Sequence, residues 1–369
     1  MADNIIDIPH GKDNGRNSEG AFATLRDGRL VFVYTRYNTD EWADQAHADL
    51  AVRHSADDGR TWGESRILLP NRAQNVMSVS LLRLQDGRLA MAYLEKSFKD
   101  RQLRHQLPLD PGILDCRPFF CVSDDDGATW SEPVDVCGVP PSYFILNNDR
   151  LVQLRSGRIV LPIAVHHATT PRMEPGKPPA ANHSARAESY FFLSDDGGAT
   201  WREASQCCYP PQGLTSGLRE PGVVELADGR LMAWFRTNGG CQYKAFSPDS
   251  GESWSAPEPA REFPSNESPL SMKRHPKTGE LVAVWCDIDP RWGITPTPTS
   301  WGRTPLVMAF SSDEGATWHG HRVLEDAPDH GFCYIAMHFT ADALLLAYCC
   351  GGGDESAVLQ DLRIRRIPC

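Results

Sequence analysis

A chain of 369 residues with 37 basic and 48 acidic side chains carries a formal charge of −11, which favours solubility and argues against a nucleic-acid partner. Its first residues, MADNIIDIPHGKDN, lack the basic start and apolar run of a signal peptide, and no later stretch is long and apolar enough to span a bilayer. A cytoplasmic protein with no membrane partner is therefore expected.

The eleven cysteines make no Cys-x-x-Cys motif, the histidines show no metal-ligand spacing, and the acidic run 124–126, though it resembles a short calcium loop, is explained by its place in a repeated turn, so no cofactor is expected. The vicinal pairs Cys207-Cys208 and Cys349-Cys350 read as buried, reduced thiols.

Two repeats run through the chain. The first is LRDGRL at Leu25, LQDGRL at Leu84, LRSGRI at Leu154, LADGRL at Leu226, KTGEL at Lys277 and a decayed TADALL at Thr340. Each is flanked by apolar, strand-like runs, which reads as a hairpin. The second follows at Ser55 (SADDGRTW), Ser123 (SDDDGATW), Ser194 (SDDGGATW), Ser247 (SPDSGESW) and Ser311 (SSDEGATW). In it Asp accepts backbone N–H bonds, Gly supplies a positive φ, and Trp packs between neighbouring elements.

One unit is thus two strands joined by the first turn, a variable connection, a third strand, the box and a fourth strand. In unit one these fall near 20–25, 30–37, 48–54 and 63–69. The turn glycines Gly28, Gly87, Gly157, Gly229 and Gly279 lie 59, 70, 72 and 50 residues apart, and six units fit the length. The sixth has no box; its last strands are expected in AVLQDLRIRRIP, with Asn4–Ile8 as the outer strand closing it. Long insertions at 96–116, 166–187 and 287–303 are expected to be functional loops.

The second repeat resembles the Asp-box of the sialidase (neuraminidase) superfamily, and the resemblance covers most of the chain. It implies an all-β fold, a single domain over 1–369, built as a six-bladed β-propeller of four-stranded antiparallel blades. The turns and boxes share one rim. The links between second and third strands therefore lie on the other, together with the starts of the inner strands, and an active site belongs there.

The same resemblance supplies site residues. In LREPGVVELADGRLMAWFR, Glu220 precedes Arg236 by 16 residues, as in the sialidase glutamate–arginine hairpin. Arg303 stands ahead of a third strand where sialidases have an arginine, Tyr334 lies eight residues before Asp342 as the nucleophilic tyrosine does, and Asp44 lies eleven before the box serine Ser55. Asp49 also fits that segment, but as a strand residue.

The implied roles are Tyr334 as nucleophile, Glu220 as its base, Asp44 as acid/base, and Arg236 with Arg303 as a carboxylate clamp. A neutral tyrosine suits a sugar whose anomeric carbon bears a carboxylate, and arginine forks suit that carboxylate. The third sialidase arginine would fall on Ser18; its Arg-Ile-Pro motif is absent, and Arg16, on the same strand face, is the candidate replacement. Arg150 in LNNDRL is a further candidate contact. His166, His167 and His183, and Trp42, Trp292 and Trp301, lie in loops of the same rim.

The partner implied is a glycan or sialoside, and the activity a retaining exo-glycosidase for terminal sialic acid or a related acidic sugar. The alternatives are a hydrolase or lyase on another glycan and a non-catalytic glycan-binding propeller.

Overall fold

The second strand of each unit is apolar at nearly every position: LVFVYTRY, LAMAYLEKS, IVLPIAVH, LMAWFR, LVAVWC and ALLLAYC. Such runs, bounded by turns, suit strands covered on both faces, and these are buried almost throughout. The computed structural model describes residues 3–72, 74–97, 115–138, 143–172 and 180–368; most of the expected insertion at 96–116 lies outside them. Strands dominate the fold. Its helical pieces, among the described residues, are two 3-10 turns at Pro290–Trp292 and Pro298–Ser300, and no helix is long and apolar enough to cross a membrane.

Unit one comprises Asn17–Thr24, Leu30–Tyr37, Ala48–Ser55 and Arg66–Leu69, three residues longer at the start than the sequence suggests. Units four (Arg219–Glu225, Leu231–Arg236, Cys241–Ser247, Glu258–Pro264) and five (Ser271–Arg274, Leu281–Cys286, Leu306–Ser311, His319–Glu325) are separate four-stranded antiparallel sheets. The sixth is a sheet of Cys333–Phe339, Ala343–Cys349, Leu362–Pro368 and, as expected, Asn4–Ile8, with Ile6 opposite Ile364.

Units one to three share a 13-stranded sheet. Two single parallel bridges, Ala48↔Asn75 and Tyr143↔Cys116, join what the repeats mark as separate units. Unit three is also irregular: Tyr143–Ile145 and Val152–Gln153 both pair with Ile159–His166, and Ala168–Arg172 pairs with Ala180–His183 as an extra hairpin.

The core is divided among the gaps between units. Val33 and Leu50 meet Val76 and Tyr93; Phe120 meets Ile159 and Phe192; Phe191 meets Leu231 and Phe235; Trp234 meets Met272 and Trp285; Val284 meets Ile335 and Leu346. Phe22 and Phe32 of unit one meet Leu345 and Ile364 of unit six. Apolar packing thus also joins the last unit to the first.

The boxes repeat one hydrogen-bond pattern. In the first, Ser55 Oγ donates to Asp57 Oδ1 at 2.8 Å and accepts from Gly59 N at 2.9 Å, while Asp57 accepts from Thr61 N at 2.8 Å and Thr61 Oγ1 at 2.6 Å. Three box tryptophans pack on the preceding unit: Trp254 stacks on Phe191 at 4.0 Å, Trp201 meets Phe120 and Trp318 meets Phe263. All ten described cysteines are free, the vicinal pairs included.

Candidate active site

Four inner strands carry the same irregularity near their start. The pairing register shifts between Ser18 and Ala21, Met77 and Ser80, Arg219 and Gly222, and Cys333 and Ala336. Within each shift one non-glycine residue has positive φ: Glu19 (52°), Ser78 (56°), Glu220 (48°) and Tyr334 (59°). A bulge of this kind re-aims a side chain that regular pleating would point into a sheet face. All four side chains line one cleft, with Asp44, Lys96 and Tyr143 among its other walls. Asn148 ties two of the bulges together, its Nδ2 donating to Gly20 O at 2.7 Å and Tyr334 O at 3.2 Å.

On one side of the cleft Tyr334 O–H donates to Glu220 Oε1 at 3.3 Å, and the same oxygen accepts from Arg236 Nη1 at 2.7 Å. Glu220 and Arg236 are 6 % and 9 % exposed, and the second Glu220 oxygen has no partner among the described residues. Arg303 lies over the Tyr334 ring at 5.6 Å; its Nη1 donates to Cys333 Sγ at 3.0 Å and its Nη2 to Glu267 O at 3.3 Å. Burial and the Glu220 carboxylate hold the Tyr334 phenol well above its ordinary range, against the opposing pull of Arg236 and Arg303. The phenol is neutral at any physiological pH. Burial raises the Cys333 thiol, but a hydrogen bond with Cys349 and the Arg303 charge bring it down to about 7.

On the other side Arg16, fully buried, turns inward with every nitrogen engaged. Nε donates to Ser18 Oγ at 3.0 Å, Nη1 to Asp44 Oδ1 at 2.6 Å and Trp42 O at 3.4 Å, and Nη2 to Glu19 Oε1 at 2.8 Å. Ser78 Oγ donates to the other Glu19 oxygen. Asp44 is half exposed (49 % of its side chain) yet ringed by protein; that crowding raises its carboxyl, and the charges of Arg16 and Lys96 more than reverse it, to about 2. Lys96 donates to Asp44 O at 3.0 Å. Glu19 is pushed the other way, to about 6, because burial outweighs Arg16.

The BNR repeat-like domain family matches residues 114–346. The chain belongs to that family, within the sialidase superfamily. Among curated proteins this BNR chain is similar to a sialidase of Bacteroides fragilis, 24 % identical over 349 residues covering 85 % of this chain and 56 % of the other. It is likewise 24 % identical over 325 residues to a sialidase of Micromonospora viridifaciens, covering 83 % and 45 %. It thus spans about half the length of these curated relatives.

Among solved structures, a protein of unknown function from Dyadobacter fermentans superposes with a TM-score of 0.73 at 17 % identity, covering 99 % of this chain and 98 % of that one. Trypanosoma rangeli sialidase in complex with sialic acid does so at 0.68 and 16 %, covering 99 % and 59 %. At these identities the likeness is one of fold.

Of the residues singled out by sequence in this BNR protein, Tyr334, Glu220 and Asp44 line the cleft; Arg236 and Arg303 back the first two, and Arg16 backs the third. Arg150 is not brought there. It lines a separate cavity with Trp234 and Lys273, donates to Ser271 Oγ at 3.1 Å and Leu270 O at 2.7 Å, and is lowered to about 10 by burial. Asp49 is occupied by Asn38 and Asn71.

His166 contacts Ser184 O, His167 contacts Glu188, and the side chain of His183 is outside the described residues; no group of three metal-binding side chains occurs among those described. Trp42 and Trp301 are exposed and 6.2 Å apart, whereas Trp292 packs on the core. Sequence reasoning missed Glu19, Ser78 and Lys96. The first two had a signal: each stands eight residues before a turn aspartate, Asp27 or Asp86, as Glu220 stands before Asp228 and Tyr334 before Asp342.

Proposed function

We propose that this protein is a retaining exo-glycosidase that removes a terminal sialic acid or related acidic sugar, on a scaffold of six strand units closed into a six-bladed propeller. The core between units six and one supports the closed ring. The observation that carries the activity is the chain Tyr334 O–H to Glu220 to Arg236, with Arg303 beside the phenol ring.

In this reading the substrate carboxylate binds the free N–H groups of Arg236 and Arg303, and Tyr334 Oη attacks the anomeric carbon as Glu220 accepts the phenol proton. A neutral nucleophile avoids repulsion by the carboxylate on the same carbon. The glycosidic C–O bond breaks, and its oxygen leaves with a proton from Asp44. Water then attacks the glycosyl–tyrosine, giving one proton to Asp44, while the departing phenolate recovers its own from Glu220. Asp44 is ionised in the free site; an anionic substrate that excludes water from it raises its pKa towards the range this donation needs. The exposed Trp42 and Trp301 rings suit a sugar face at the mouth.

One observation favours a second acidic glycan, such as a uronate: Arg16 is engaged by Glu19 and Asp44, which leaves two arginines for the substrate carboxylate. A panel of aryl glycosides of sialic acid and of uronic acids tests both. Release of sialic acid, abolished by Tyr334→Phe, supports the first reading; release from uronides alone supports the second. Binding without turnover of any member refutes hydrolysis.

A further inference from the structure

Glu19 has no part in the reaction just described, yet it occupies the bulge position that presents Glu220 and Tyr334 to the cleft. Its side chain is 5 % exposed, whereas that of Asp44 is 49 % exposed, so one lies at the floor of the cleft and the other at its mouth. A single guanidinium joins them. Arg16 Nη2 donates to Glu19 at 2.8 Å and Nη1 to Asp44 at 2.6 Å.

Two carboxylates that share one cation do not titrate independently. With Glu19 ionised, half of the Arg16 fork is drawn to the floor and a second negative charge opposes that of Asp44. With Glu19 neutral, the whole Arg16 charge acts on Asp44 and holds it as a carboxylate. Lys96, from the second strand of unit two, also faces Glu19 with its charge, and the Glu220 carboxylate lines the same cleft. Tyr37, Tyr143, Tyr334, Cys116 and Cys349 also face it, and burial raises each of them, which keeps them neutral. Burial lifts Glu19 to about 6 against the pull of Arg16, with Asp44 adding to the rise, so its charge changes within a working pH range.

We propose that Glu19 is a positioning residue for Asp44: by sharing Arg16 it loosens the hold of that guanidinium on Asp44 and keeps Asp44 able to take up the proton destined for the leaving oxygen. This rests on the reading of Asp44 as proton donor.

The coupling is reciprocal and can be read at whichever carboxylate titrates conveniently. In carboxyl NMR titrations of the whole protein, Asp44→Asn should lower the Glu19 midpoint by about half a pH unit or more, roughly a threefold change in proton affinity. An unmoved midpoint overturns the proposal, with no substrate involved.

In turnover, Glu19→Gln should lower kcat at least about tenfold more on a glycoside with a sugar aglycone than on its nitrophenyl counterpart, because a good leaving group needs little protonation. Equal losses on the two would mean that Glu19 only supports the fold, and would overturn it. If the wild-type protein cleaves neither glycoside, the proposed hydrolysis fails by itself, and the Glu19 midpoint alone then decides for or against the coupling.

Discussion

Replacing Glu19 by glutamine should change how stability depends on pH, by an amount the structure sets. In the folded protein burial raises this carboxyl from 4.5 to about 6. Between those values the unfolded chain has released the proton that the native state still binds, so stability from this group is present below pH 4.5 and is lost as pH rises through 6. At about 1.4 kcal/mol per pH unit the loss is about 2 kcal/mol, and little is discounted for solvent because the side chain is 5 % exposed.

The glutamine is isosteric, can accept from Arg16 and donate to the Ser78 hydroxyl, and does not titrate. Urea denaturation of both proteins at pH 4 and pH 7.5 checks this. The drop in unfolding free energy between the two conditions should be about 2 kcal/mol larger for wild type than for Glu19→Gln. Equal drops would refute the claim that this carboxylate is ionised at a cost in the folded cleft.

Tyr334→Phe removes the hydroxyl that meets Glu220 and should lower kcat by about a thousandfold or more while costing about 1 kcal/mol of stability; glycoside turnover and thermal unfolding measure the two. Arg303→Met should raise KM for an acidic glycoside by at least about tenfold, read from initial rates, and leave affinity for the uncharged aglycone unchanged. Asp249→Ala breaks the bonds to Ser253 N and Ser253 Oγ and should cost about 1–3 kcal/mol in denaturant with turnover intact, because the box lies at a turn outside the cleft. Combined with Asp57→Ala, its cost should add, since the two boxes share no partner.

The boxes were legible because each letter has a local task. Ser55, Asp57, Gly59 and Thr61 satisfy one another within seven residues, and the same bonds recur wherever the letters do. Glu220 and Arg236 were singled out by their spacing across one hairpin, Tyr334 by its distance from the turn at Asp342 and Arg303 by its place ahead of a third strand, and the structure sets the four side by side. Glu19 was passed over although it stands eight residues before Asp27, because a glutamate within NSEGAFAT reads as an outward strand residue until the register slips and φ turns positive. The setting of Arg16 was hidden for the same reason: its partners are that unread glutamate and a loop aspartate 28 positions away. The merging of units one to three depends on single bridge pairs, which leave no periodic trace in the chain.

The strand Asn4–Ile8 finds its partner in Leu362–Pro368, so this one pairing spans nearly the whole stretch of chain described. Phe22 and Phe32 take their cover from Leu345 and Ile364 of unit six, and Glu19 shares its cleft with Tyr334 of that unit. Breaking that single long-range contact would therefore strip apolar cover from unit one and loosen a wall of the cleft together.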